Sequence, residues 1–243
     1  MRPLSARDLL LVWEQAERQR PQERALALLA AASPELADEE LAALSLGRRD
    51  AFLLDLYRQT FGPALDLVAD CPACREPLEL ALDLDEMDLA TAEAPGEVEV
   101  REGGLRLVAR PLTAADLAAA AACASVEEAR RLLAELSVAV AEREGESVSP
   151  ATLSDEEIAL LANALAEADP QAEVLLALSC PECGHAWQAA LDAAGCLWHE
   201  VDAAARRLLR EVHGLARGYG WREADVLALS ARRRRFYLEM LAE

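Results

Sequence analysis

Asp70-Cys71-Pro72-Ala73-Cys74 and, far downstream, Ser179-Cys180-Pro181-Glu182-Cys183-Gly184 are one short pattern written twice, a C-x-x-C with proline after the first cysteine. The flanks repeat as well. Residues 66–70 and 174–178 lead in, residues 78–82 and 187–191 lead out, and each reads as a strand of a short hairpin. A tight C-x-x-C turn presents two sulfurs to one point, and zinc takes four ligands in a tetrahedron, so two such turns facing each other complete a shell. The expectation is a split, zinc-ribbon-like pair of hairpins that holds one structural Zn2+ through Cys71, Cys74, Cys180 and Cys183. Four protein ligands leave no position open for water or substrate.

Other uses of a C-x-x-C pair compete with this one. A thioredoxin-like redox pair opens a helix inside a βαβ unit, whereas both copies here lie between strands. Disulfides need an oxidising compartment, and Met1-Arg2-Pro3-Leu4-Ser5 lacks the apolar run of a secretory leader. A bridge across two intervening residues also closes too small a loop to stabilise much. His185 follows the second pair closely enough to replace a ligand, but with four cysteines at hand it is expected on the surface of the turn. Cys123 ends an alanine run and Cys196 starts a helix, and both are assigned to packing, since free cysteine is among the most buried residue types.

The 243 residues suffice for one large domain or two small ones. Hydrophobic residues make up 53% but aromatics only 4%, so the apolar content is mainly alanine and leucine, which favours helices over sandwiches. All 24 basic residues are arginine against 44 acids, and the net charge of −20 makes the whole molecule a poor non-specific binder of phosphate backbones. The charge is uneven: residues 206–243 carry net +4 and residues 1–205 net −24. No apolar run of about 18 residues occurs, and a cytoplasmic protein is expected. The chain has no glycine-rich phosphate loop, no H-E-x-x-H and no G-x-S-x-G. With three histidines (His185, His199 and His213) and no serine or cysteine in a recognisable nucleophile context, no catalytic constellation is expected.

Taken in order, the chain reads as α+β and mostly helical, in five segments. Residues 1–62 form an N-terminal helical bundle: a helix capped by Ser5 with Leu9, Val12, Trp13 and Ala16 on its apolar stripe, a second opened by Pro21, a third at 38–44, and a fourth capped by Ser45 that stops at Gly62-Pro63. Residues 63–112 hold the first knuckle hairpin, an acidic alanine-rich connector at 83–96, and a further hairpin that turns at Glu102-Gly103-Gly104 and is expected to extend the zinc-site sheet. Residues 113–168 are expected as an insertion of three helices, 114–123, 126–144 and 155–167, started by Thr113, Ser125 with Glu128, and Ser154 with Glu157. A polar loop at 145–151 separates the last two. Residues 169–194 hold the second knuckle hairpin, expected to pack on the first with an approximate twofold relation. Residues 195–243 hold a long helix, 197–217, a break at Gly218-Tyr219-Gly220-Trp221, and two short helices, the second capped by Ser230.

That tail is expected to expose Trp221, Leu227, Phe236, Tyr237 and Leu238 beside Arg232-Arg233-Arg234-Arg235. Aromatic and arginine side chains carry much of the energy of interfaces, so Trp221, Arg232, Arg233, Arg234, Arg235, Phe236 and Tyr237 are the candidate partner-binding set. The competing reading has the same residues folding back as a structural cap.

Trp13, the Gly47-Arg48-Arg49-Asp50 turn, both C-P-x-C knuckles, Ala168-Asp169-Pro170-Gln171-Ala172, Leu208-Leu209-Arg210-Glu211-Val212-His213 and the closing Tyr219-Gly220-Trp221-Arg222-Glu223 together carry a likeness over nearly the whole chain. It resembles the baseplate proteins, often labelled hub assembly chaperones, of contractile phage tails, phage-tail-like particles and extracellular contractile injection systems. The resemblance implies an accessory role in building the baseplate or tail hub, baseplate or tail-hub proteins as partners, no small-molecule substrate and no enzymatic activity. It supplies no metal ligands; zinc rests on the cysteine spacing. A zinc ribbon followed by two short helices and an arginine run also describes a nucleic-acid-binding regulator whose second helix enters a groove. The net charge of −20 and the lack of aromatics interleaved among the arginines weigh against it.

Overall fold

Ser5 starts the first helix, α1 (Ala6–Ala16), by reciprocal capping: its hydroxyl accepts from the Asp8 N–H, and the Asp8 carboxylate accepts from the Ser5 N–H. Arg2 donates to the same carboxylate and holds its pKa far below the usual range. The computed structural model describes residues 1–87 and 96–242, so the acidic connector expected at 83–96 lies largely outside the described residues. Proline opens α2 (Pro21–Ala32), where its missing N–H costs nothing. A short α3 (Asp38–Ala42) leads to α4 (Leu46–Phe61), which begins at Ser45 and ends at Gly62.

These four helices share one core with a fifth. Their apolar stripes close around a helix from the other end of the chain, α8 (Ala193–Tyr219): Leu9, Val12, Leu28, Leu29, Leu53 and Leu56 meet Leu197, Val201, Ala204 and Ala205 in one core. Each fully buried leucine there contributes about 2–3 kcal/mol. Trp13 fastens the same contact with a polar bond, its Nε1 donating to Asp202 at 2.7 Å.

The middle of the chain departs from the three-helix expectation. α5 (Ala114–Ala120) and α6 (Val126–Ser137) both end early, and the residues expected as the second half of α6 are a strand, β5 (Val138–Arg143). Valine at 138 and 140 loses side-chain freedom in a helix and packs well on a pleated surface, and here a partner strand is available. That partner is β4 (Leu105–Ala109), already paired with β3 (Val98–Glu102); with β6 (Glu146–Ser147) they make a four-stranded antiparallel sheet in the order β3-β4-β5-β6. The hairpin that turns at Gly103-Gly104 therefore does not extend the cysteine hairpins' sheet. The polar loop expected at 145–151 is instead the β5–β6 turn, β6 and a 3-10 turn at Pro150–Thr152. α7 (Asp155–Ala168), started by Ser154 as expected, covers the sheet through Ile158 and Leu161 against Leu105, Leu107 and Ala141.

The last helices fold back. α8 runs 27 residues to a left-handed Gly220, α9 (Glu223–Leu227) makes the corner, and α10 (Ala231–Ala242) returns along α8. Gly214 and Gly218 admit it closely: a Cβ on them would lie 2.9 Å from Leu238 and 2.5 Å from Leu241. Trp221, Leu227, Tyr237 and Leu238, expected to be exposed, are half-buried against Val212, Leu215 and Val226, and Arg234 is buried with its guanidinium on Glu211 and the Leu229 carbonyl. The period of α10 explains this: positions 234, 237, 238 and 241 share the face that meets α8. The α+β, mostly helical architecture stands, with small antiparallel sheets and helices at both ends.

Asp116, buried at 4% exposure, ties the sheet to α5 by accepting from the Thr113 N–H and from both ends of the Arg110 guanidinium. Burial opposes its ionisation, but Arg110 and Thr113 outweigh it and hold its pKa down. A depressed folded-state pKa contributes stability that is present above the unfolded value of about 4 and is lost as pH falls through the folded one. Asp116→Asn is expected to cost about 2 kcal/mol at pH 7, a difference from wild type that shrinks below pH of about 4. Denaturant unfolding of both proteins across that range measures it.

Candidate metal centre

The two cysteine pairs sit at the tips of two separate antiparallel hairpins. β1 (Ala64–Asp70) pairs with β2 (Pro77–Asp83) from Ala64↔Asp83 to Asp70↔Pro77, and β7 (Leu175–Ser179) pairs with β8 (Ala186–Ala190) from Leu175↔Ala190 to Ser179↔Ala186. Burial alternates along every strand, with Leu65 and Leu67 in β1, Leu78, Leu80 and Leu82 in β2, Leu176 and Leu178 in β7 and Trp187 in β8 at the inward positions.

The two turns repeat each other bond for bond. The Cys71 N–H donates to the Glu76 carbonyl and the Arg75 N–H to the Cys71 carbonyl, at 2.9 and 2.8 Å; the Cys180 N–H donates to the His185 carbonyl and the Gly184 N–H to the Cys180 carbonyl, both at 2.9 Å. The fourth residue after the first cysteine is left-handed in each, Arg75 at φ +64° and Gly184 at φ +71°. Glycine takes that conformation freely, whereas Arg75 bears a cost of about 1 kcal/mol. Such strain persists where the surrounding geometry over-determines it.

The four sulfurs converge. Cys71 Sγ lies 3.7 Å from Cys183 Sγ and Cys74 Sγ 3.6 Å from Cys180 Sγ, and all four lie within 4.8 Å of one another. A tetrahedron with metal–sulfur bonds of about 2.3 Å has edges of about 3.8 Å, while a disulfide needs about 2.05 Å. The site is four free thiols whose spacing could hold one metal ion. Cys71 and Cys180 are buried beside Leu78 and Trp187, and Cys74 and Cys183 face outward. Burial resists ionisation of Cys71, but the N–H groups of Cys74 and Ala73 and the adjoining thiols hold its pKa down to about 7. The Glu76 N–H favours the Cys74 thiolate, yet desolvation and the sulfurs of Cys183, Cys71 and Cys180 push that group up to about 12. Crowded thiols of this kind share negative charge poorly until a cation joins them.

His185 is exposed, stacks on the Trp187 ring at 6.0 Å, and lies outside the four-sulfur group. Cys123 and Cys196 are also outside it; Cys196 packs on the main core, and burial pushes its thiol up to about 11. Of the tail residues, Arg232, Arg233, Arg235 and Phe236 are exposed on α10, with Phe236 at 59%, whereas Trp221, Arg234 and Tyr237 pack inward.

Sequence reasoning missed how the second hairpin is seated. Its entry is held by Asp169, whose carboxylate accepts from the Gly47 N–H at 2.9 Å in the first turn of α4, and its exit by Asp192, which accepts from the Gly195 N–H at 2.9 Å and caps α8. Gly47-Arg48-Arg49-Asp50 and Ala168-Asp169-Pro170-Gln171-Ala172 are therefore two sides of one joint. The signal for it in the sequence is the unexplained glycine beside a helix cap. A groove of about 1060 Å3 between α5, α6 and α7, lined by Leu117, Val126, Leu133 and Leu165 and reaching Leu175, was likewise not foreseen.

A family model described as T4 bacteriophage base plate protein matches residues 5–193, and the chain belongs to that family. The matched span runs from α1 through both knuckles and ends where α8 begins. No curated protein and no solved structure matches the chain.

Gly47 tests the joint directly. A Cβ there would collide with Asp169 Oδ1 and lie 2.7 Å from the Ala172 backbone nitrogen. Glycine-to-alanine inside a helix normally stabilises by about 1 kcal/mol; Gly47→Ala is expected to destabilise, by about 2 kcal/mol, in equilibrium denaturation.

Proposed function

We propose that this protein is a non-enzymatic assembly factor or structural component of the baseplate or tail hub of a contractile phage-tail-like particle, organised around one structural zinc held by Cys71, Cys74, Cys180 and Cys183. The observation that carries the reading is the convergence of four thiols within 4.8 Å, from two knuckles that both lie inside the span matched by the base plate family. An all-sulfur tetrahedral set suits zinc, and a closed shell of four protein ligands gives it a structural role. The ion would supply charge neutralisation for the thiolates and a cross-link between residues far apart in sequence. Cys71 and Cys180 would hold it from the buried side, and Cys74 and Cys183 would close it from outside.

The partners are baseplate or tail-hub proteins met during assembly in the cytoplasm. Among the described residues no helix is long and apolar enough to cross a membrane. The docking element is the outward face of α10, where Arg232, Arg233 and Arg235 have no ion pair among the described residues and flank exposed Phe236 and Met240. Trp221, Arg234 and Tyr237 act one step back, by holding α10 against α8.

Metal analysis of protein purified without chelator is expected to give one zinc per chain, and none for Cys180→Ser, which loses much of its stability, since structural zinc is worth about 10–16 kcal/mol of apparent binding energy in small peptides. A folded, metal-free wild type would falsify the zinc reading. For docking, Arg232→Glu combined with Phe236→Ala is expected to leave unfolding within about 1 kcal/mol of wild type while abolishing capture of purified baseplate components. Unchanged capture would move the docking surface elsewhere.

A further inference from the structure

We infer that the four-cysteine cluster is also a peroxide-responsive site that closes crosswise, Cys74 to Cys180 and Cys71 to Cys183, into two disulfides that join the hairpins when the metal leaves. The inference rests on the zinc reading for what occupies the cluster beforehand, and on the thiol geometry for which sulfurs then bond.

The two sulfur–sulfur contacts with hydrogen-bonding geometry, 3.7 Å for Cys71 with Cys183 and 3.6 Å for Cys74 with Cys180, both run from one hairpin to the other. Each contact pairs one exposed cysteine, Cys74 or Cys183, with one buried cysteine, Cys180 or Cys71. The exposed sulfurs are where a small oxidant arrives first, and a buried sulfur within van der Waals contact is placed to resolve the product. The remaining free cysteines are poorer targets: Cys196 is packed on the main core, and neither it nor Cys123 belongs to the four-sulfur group.

The chemistry balances with hydrogen peroxide as oxidant. The exposed sulfur, once it has given up its proton, attacks one peroxide oxygen and the O–O bond breaks, giving a sulfenic acid and hydroxide, which leaves as water with a proton. The buried thiolate then attacks the sulfenic sulfur, the S–S bond forms, and a second hydroxide departs as water. Each pair of thiols consumes one peroxide and yields one disulfide and two waters; two peroxides oxidise the whole cluster. A disulfide is no longer a thiolate ligand, so the zinc is released.

Crosswise closure, once formed, also stabilises the native chain against unfolding more than closure within one knuckle. A bridge from residue 71 to residue 183 or from 74 to 180 closes a loop of over a hundred residues, and a disulfide that constrains the unfolded chain more favours the native state more. A bridge within one C-x-x-C constrains almost nothing and would let the two hairpins part. In an oxidising medium the crosswise product keeps the hairpins joined by covalent bonds after the ion is lost.

The test uses the zinc-loaded full chain titrated with hydrogen peroxide, with released zinc followed by a chromophoric chelator and linkages mapped by proteolysis without reductant and mass spectrometry. The expected result is one zinc released for two peroxides, linked peptides joining 71 to 183 and 74 to 180, and free thiols at Cys123 and Cys196. Linkages of 71 to 74 and 180 to 183 overturn the inference, as does zinc retained with reduced thiols in a large excess of peroxide. Cys183→Ser, oxidised without metal, is expected to form the 74 to 180 link alone; a 71 to 74 link in that variant counts against crosswise closure. If the wild type binds no zinc, the metal reading fails on its own, and the same mapping on the metal-free chain decides the disulfides.

Discussion

The four sulfurs at the hairpin tips constrain the structure because the chain must bring residues 71–74 and 180–183 to one point, and everything between must close as a loop. Loop closure grows costly only slowly with length, about 0.6 kcal/mol per doubling, so an insertion containing α5, α6, α7 and a four-stranded sheet can sit there. The insertion folds around its own core of Leu105, Leu107, Ile158 and Leu161, and it returns to the body at the Gly47–Asp169 contact. The thiols and that capping carboxylate fix the second hairpin at its tip and at its base. A two-stranded hairpin is marginal by itself in water, and each of these two has little core beneath its tip. What holds them is attachment rather than intrinsic stability.

Much of this was legible in local chemistry. The knuckles announce themselves by spacing, since C-x-x-C places two ligands without help from the rest of the fold. Helix starts were equally plain: Ser5, Ser45, Ser125 and Ser154 all cap the helices expected from them. Helix stops were not. A capping box says where α6 begins and nothing about where it ends, and the strand that replaces its second half exists because β4 lies alongside. The same non-local pairing took the Gly103-Gly104 hairpin away from the cysteine sheet. Propensity could weigh Val138 and Val140, but only tertiary pairing decides the matter.

The candidate metal site divides along the same line. Its ligand types and spacing are in the sequence, whereas the seat of the second hairpin on α4 and α8 depends on Asp169 and Asp192 reaching helix termini, one of them over a hundred positions away. In the tail, composition pointed to an aromatic and basic cluster, and helical period decided which members face inward. Arg234 stands in a run of four arginines yet is buried on Glu211, because its position on α10 coincides with Leu238 and Leu241 rather than with Arg232 or Phe236.

One feature of α8 links the two ends of the molecule mechanically. Its N-terminal part is buried in the main core through Leu197, Val201 and Leu208, and its C-terminal part carries the terminal cluster through Val212 and Leu215. A helix of 27 residues is about 40 Å long and keeps strict phase along its axis. The direction in which α10 presents its outward face is therefore set by the number of residues between Leu208 and Val212. One residue more at that junction would swing the terminal helices by about 100° and advance them by about 1.5 Å, pulling Leu227 away from the main core it also touches and re-aiming the end of the molecule like a key cut one step out of phase.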